Sequence, residues 1–170
     1  MGMKIDYNIL MSLRTALPRD WNLCGDFKEG DLGMSEGNKA LVRRLIDEIW
    51  NKGNLALLDE IVDANYVRQD PSWPEEIRGP EGFKQYVKAM RDSFWGGRFE
   101  VHDMLAEADQ VAVRWTFSGT HIAEFMGIPA TWRQVALTGI SIVRIQDGKL
   151  AQGWDGYDAL SLMHQLGVAP

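Results

Sequence analysis

Residues 134–157 read QVALTGISIVRIQDGKLAQGWDGY. Two apolar runs flank Asp147-Gly148, a dipeptide suited to a two-residue hairpin because both turn positions must take positive φ. The segments 134–146 and 149–157 are therefore predicted to be antiparallel strands. Downstream, ALSLMHQLG (residues 159–167) predicts a short helix that stops at Gly167, with Leu162, Met163 and Leu166 able to face a core. Asp158 stands at the junction, where a carboxylate accepts hydrogen bonds from the free N–H groups of the first turn, and is read as an N-cap. Upstream, Val111, Val113, Trp115 and Phe117 alternate with Ala112, Arg114 and Thr116, and Phe99, Val101 and Leu105 alternate with polar residues.

Before Gly97 the apolar period becomes helical. SEGNKALVRRLIDEIWNKGN (35–54) offers Ser35 as a cap, a stripe of Leu41, Val42, Leu45, Ile46 and Ile49, and Gly53 as a stop. A shorter helix from Asn54 buries Leu57, Leu58 and Ile61. A third begins at Pro80 with Phe83, Tyr86, Val87 and Met90 inward. Three helices followed by strands define an α+β class, a curved antiparallel sheet wrapped around N-terminal helices. Residues 3–17 carry Ile5, Ile9, Leu13 and Leu17 at helical spacing before Pro18, and an aperiodic segment follows. The expected organisation is an extension over 1–35, helix plus loop, and one domain over 36–170.

A net charge of −6 with no dense cluster of Lys or Arg argues against nucleic acid and anionic membrane as partners, and for a small neutral or weakly charged ligand. Cys24 is the only cysteine and has no partner for an internal disulfide. The first thirty residues lack the basic-then-apolar order of a signal peptide, and no apolar run approaches the roughly 18 residues of a membrane span. Cytoplasm is the expected compartment. His102, His121 and His164 fall at no metal-ligand spacing, so no metal site is expected. The sequence holds no G-x-S-x-G elbow, Walker loop or dinucleotide fingerprint.

Asp155 is the residue without a structural task. It lies inside a predicted strand, where Asp is a poor former and a carboxylate does nothing for the ladder. A two-residue loop at Asp147-Gly148 pairs it with Ile140, on the face of Ile142 and Gly153. A three-residue loop places it opposite Gly139, beside Ser141, Val143 and Tyr157. One residue of slip reverses every side chain. In either register the neighbours are apolar or small, so burial would raise its pKa and suit it to act as a general base.

The segments GPEGFKQYVKAMRDSF, DQVAVRWTFSGTHIAEFMGIPAT, GISIVRIQDGKL and WDGYDALSLMHQLG, in this order from about Asn38 to Gly167, resemble the SnoaL-like polyketide cyclases (ester cyclases) of the nuclear-transport-factor-2-like superfamily. The resemblance implies a cone-shaped fold with an apolar pocket, a homo-oligomer (dimer or tetramer), and a cofactor-independent cyclase or isomerase that closes a ring by an intramolecular aldol or related reaction. On an apolar, polyketide-like substrate Asp155 would be the acid–base group, with Ser141 on its face, which favours the second register. Tyr66 and Gln69 fall on the pocket-facing YVxHDP stretch and are expected ligand contacts. Trp115 is expected as a flat wall, Tyr157 as a wall residue, and His121 as a rim residue or a loop-bound structural histidine. Ser141 and Gln69 stand where related sequences often have His, and Trp132 where Gly or a small polar residue is usual. A non-catalytic small-molecule-binding module on the same fold is the alternative.

Overall fold

The computed structural model describes residues 29–168 apart from Pro74. The helix expected over 3–17, its following loop up to residue 28 and Cys24 lie outside the described residues. Helix α1 (Glu29–Arg44) runs through the expected boundary at residue 35 and passes into a wide π-type turn (Leu45–Asn51). Ser35 therefore sits inside the helix, and its hydroxyl donates to Ala106 O (3.3 Å) instead of capping. The wide turn buries Leu45, Ile46, Ile49 and Trp50 together, and Gly53, at φ +80°, ends it. A single 3₁₀ turn (Leu55–Leu57) leads to α2 (Leu58–Ile61). Then come β1 (Val62–Gln69), β2 (Ile77–Arg78), α3 (Gly79–Ser93), β3 (Phe94–Glu107), β4 (Gln110–His121), β5 (Gln134–Gln146), β6 (Lys149–Tyr157) and α4 (Ala159–Leu166).

The six strands form one curved, open sheet in the order β2-β1-β6-β5-β4-β3. Its inner face, with α1, the wide turn and α3, encloses the hydrophobic core. The class is α+β, as the sequence predicts, with two differences. The sheet begins before the third helix, because β1 precedes α3, and it is not wholly antiparallel, because β1 lies parallel to β6. VDANYVRQ has few β-formers, so its strand character comes from a partner more than eighty residues away, which local pattern does not report.

In the hairpin that fixes the site, Asp147 (φ +50°) and Gly148 (φ +74°) make a two-residue turn of the primed type, with Gln146 opposite Lys149. Ile145 pairs with Leu150, but Arg144 pairs with Gln152, so Ala151 is an extra residue on β6. This bulge shifts the register by one, and Asp155 stands directly opposite Ser141. Neither simple register predicted from the sequence occurs. The face expected from the longer loop is reached by the shorter loop plus a bulge. A second bulge, between Val101 and Asp103, reverses β3, so Leu105 is exposed while Met104 turns inward.

The end of the chain follows its predicted pattern. Asp158 Oδ1 accepts from Ser161 N (2.8 Å), and Gly167, at φ +79°, closes α4. Gln165 ties α4 to β5 through both backbone groups of Ala136 (2.7 and 3.0 Å). This holds Leu162 across one end of the core.

Candidate active site

Strand alternation brings Tyr66 and Arg68 from β1, and Gly153, Asp155 and Tyr157 from β6, to the inner face. Ser141 joins them from β5 and Trp115 from β4. Arg68, Asp155, Tyr157 and Trp115 meet in the wall of an apolar cavity, with Ser141, Tyr66 and Gly153 packed against them. Trp50, Met90, Phe94, Phe99, Phe117 and Phe125 form most of its wall, and its polar lining comes from Arg68, Asp70, Tyr86, Asp155 and Tyr157.

The Asp155 side chain is 3 % exposed and that of Arg68 7 %. Asp155 Oδ1 accepts from Arg68 Nη2 (2.6 Å) and from Ser141 Oγ (2.5 Å). Ser141 Oγ accepts in turn from Trp115 Nε1 (2.8 Å). Asp155 Oδ2 is buried and, among the described residues, has no partner. Burial raises the carboxyl pKa, and the Arg68 charge and the Ser141 hydroxyl offset part of that rise. Burial also opposes the charge on Arg68, yet Asp155, Tyr66 and Tyr86 more than compensate and keep the guanidinium cationic.

Two glycines permit this geometry. A Cβ on Gly153 would lie 2.7 Å from Tyr66 Oη and 3.2 Å from Arg68 Nη1, so its absence lets the guanidinium lie across β6. A Cβ on Gly139 would lie 2.4 Å from Trp115 Cζ2, so its absence lets the indole lie flat over β5.

A second carboxylate faces the same cavity. Asp70, just past β1, accepts from Tyr86 Oη (2.6 Å) on Oδ2, and from Tyr157 Oη (2.8 Å) and Ser72 N (2.7 Å) on Oδ1. Tyr157 Oη also contacts Ser72 Oγ. Burial, then the Asp70 charge, raises the pKa of both phenols, so Tyr86 and Tyr157 remain protonated donors to Asp70.

Of the residues singled out from the sequence, Asp155, Ser141, Trp115 and Tyr157 come together here. Tyr66 lies behind them, fully buried, stacked on Phe83 (5.0 Å between centroids) and accepting from Arg68 Nη1 (3.2 Å). Gln69 does not reach the cavity. It points outward and donates to Glu76 (3.2 Å), because period-two alternation turns Arg68 in and Gln69 out. His121 is not on the rim either. It is buried beside Phe94, with Nδ1 accepting from Thr131 N (3.3 Å), and burial lowers its pKa. Trp132 is 72 % exposed and takes no part in the cavity wall. Arg68 and Asp70 were missed in the sequence, although YVRQD carries the signal: Tyr66, Arg68 and Asp70 are spaced by two. Among the described residues, no three His, Cys, Asp or Glu side chains converge as a metal set would.

A curved α+β sheet closed by helices over an apolar chamber, with a buried carboxylate in its wall, defines a class of small-molecule cavity proteins. Within that class the chain belongs to the SnoaL-like polyketide cyclase family, whose pattern matches residues 40–166. It is 31% identical to the aklanonic acid methyl ester cyclase DnrD of Streptomyces peucetius over 134 residues, which cover 75% of this chain and 88% of that one. The structure of TsrD from Streptomyces laurentii superposes with a TM-score of 0.70 at 29% identity, covering 78% of this chain and 96% of TsrD. A protein of Jannaschia sp. CCS1 shares the fold with a TM-score of 0.75 at 20% identity, covering 86% and 100% of the two chains.

Proposed function

We propose that the chain is a cyclase in which Asp155 is the general acid–base group for ring closure of a neutral, apolar polyketide-like molecule. The observation that carries this is a carboxylate buried in an apolar chamber whose Oδ2 has no partner among the described residues. Oδ2 removes a proton from a carbon next to a carbonyl. The enolate attacks a second carbonyl carbon of the same molecule, forming the C–C bond, and the carboxylic acid returns the proton to the new alkoxide. Atoms and charge balance between substrate and carboxylate. The chamber contributes by excluding water and restricting the substrate to a near-attack conformer. Two carboxylates set against one guanidinium make the lining unfavourable for an anionic substrate, which supports a neutral one such as an ester.

Trp115 and Tyr157 would form the wall against which the ring system lies. The outer face of β5 exposes Ile140 and Ile142, and Leu160 is exposed on α4; these surfaces support assembly with a second copy of the chain.

Aklanonic acid methyl ester, the compound in the name of the DnrD relative, is the first substrate to assay. Asp155→Asn should lower kcat by about 10³-fold or more, within the range expected for loss of an acid–base group, while ligand binding survives. The wild-type kcat/KM should fall as pH falls through the carboxyl pKa. Because that pKa is raised, the fall should begin above the ordinary carboxylate range. Turnover in Asp155→Asn equal to wild type would remove the acid–base role. Tight binding with no turnover by the wild type would favour the non-catalytic binding module.

A further inference from the structure

The buried guanidinium beside the carboxylate is held by both Nη atoms and two aromatic rings, while Nε has no partner among the described residues. Its faces lie over Trp50 (5.9 Å to the ring centroid) and Phe83 (5.3 Å), Nη1 donates to Tyr66 Oη (3.2 Å), and Nη2 donates to Asp155 Oδ1 (2.6 Å). Gly153, its neighbour across the parallel β1–β6 pair, leaves the space it crosses. A residue needed only for folding could be apolar in such a slot, since aliphatic or aromatic side chains of similar volume often replace buried ion pairs at no cost. This slot instead pins one oxygen of the cavity carboxylate. Ser141 pins the same oxygen from the opposite strand, oriented by the Trp115 indole N–H.

We propose that Arg68 is a positioning residue for Asp155: with Ser141 it occupies Oδ1, and so presents Oδ2 alone, at a fixed angle, to the hydrogen of a bound substrate. The inference rests on the acid–base role proposed for Asp155 and deepens it. Two consequences separate it from a packing role. Arg68 favours the ionised carboxylate inside an apolar chamber, offsetting part of the burial that favours the neutral acid. Its planar fork spans Tyr66 Oη and Asp155 Oδ1, so the guanidinium is itself fixed and its single bond to Oδ1 has a set direction, which a flexible ammonium would not give. The other titratable groups acting on Asp155 are Asp70 after β1 and Tyr66 on it, Tyr86 on α3, and Tyr157 on its own strand. Asp70 opposes its ionisation, and among these groups Arg68 supplies the favourable charge.

The test uses the full chain with ¹³C-labelled aspartate, the Asp155 carboxyl signal being identified by its loss in Asp155→Asn. In Arg68→Met the titration midpoint of that signal should rise by about 1 to 3 pH units, the size of effect expected from an opposite charge at this distance. In Arg68→Lys the midpoint should stay near wild type. With aklanonic acid methyl ester, both variants should lose kcat about tenfold or more with KM little changed, because the lysine restores charge without the fork. A wild-type midpoint and kcat in folded Arg68→Met would overturn the inference. If Asp155→Asn is inactive in that case, the acid–base role of Asp155 stands without it; if Asp155→Asn keeps wild-type turnover, that role fails first. Should Arg68→Met not fold, Arg68→Met/Asp155→Asn is measured. Recovery of folding shows that each charge is the other's partner, and continued unfolding overturns the inference.

Discussion

Replacing Gly139 by alanine should disturb the site from the inner face of the sheet itself. The new Cβ would stand 2.4 Å from Trp115 Cζ2, 2.5 Å from Cη2 and 3.0 Å from Gly156 O. Carbon atoms rest about 3.5–4.0 Å apart, so the indole must retreat by more than about 1 Å. It cannot do so and keep its 2.8 Å bond to Ser141 Oγ. Forcing a methyl into a packed core costs about 1–3 kcal/mol, and a buried indole N–H left without a partner costs about 1–3 kcal/mol more. A destabilisation of about 2–6 kcal/mol is expected, read from urea midpoints followed by tryptophan fluorescence. It should lower Tm by about 4–24 °C for a chain of this size. Ser141 would lose its orienting donor and Asp155 with it, so kcat should drop by about 10²-fold, the loss expected from a misplacement near 1 Å. Trp115→Phe removes the clashing atoms, so the double variant should lose less stability than the two single losses summed. A Gly139→Ala variant within 0.5 kcal/mol of wild type, or losses that simply add, would show that the indole is not held against Gly139 as described.

Two further outcomes follow from the same geometry. Trp132 holds a left-handed φ of +59° with its ring largely in solvent, so Trp132→Gly should raise stability by about 1 kcal/mol in a urea titration; a loss of that size would mean that the ring has a contact role. Asp70→Asn should cost about 2 kcal/mol, because Asp70 accepts from two phenols and a backbone N–H, whereas Gln69→Ala, one residue away on the outer face, should leave stability within 0.5 kcal/mol. Equal effects of the two would contradict the alternation of β1.

Much of this protein was legible before any coordinates. The helix from Pro80 buries Phe83, Tyr86 and Val87, β4 alternates from Val111 to Phe117, and α4 takes its cap from Asp158 and its stop from Gly167, because each depends on residues a few positions apart. Asp155 also stood out locally, as a carboxylate in a strand that had no use for one. Its partners did not. The strand β1 has little intrinsic β character, so Arg68 and Asp70 were passed over and the outward-facing Gln69 was chosen instead. His121, read as a possible rim residue, proved to be sealed beside Phe94.

What the sequence determined by itself was thus the set of elements, the class and the carboxylate. Tertiary structure alone decided which face the carboxylate took and what met it there. The bulge at Ala151 turned Asp155 toward Ser141, and the parallel pairing of β1 with β6 brought Arg68 across from a strand 87 residues away in sequence. Helix periods and caps are set by short-range sterics and hydrogen bonds, which a local pattern encodes. A bulge and a parallel partner depend on the free energy of the whole sheet and the packing against it, and no short stretch of residues contains that sum.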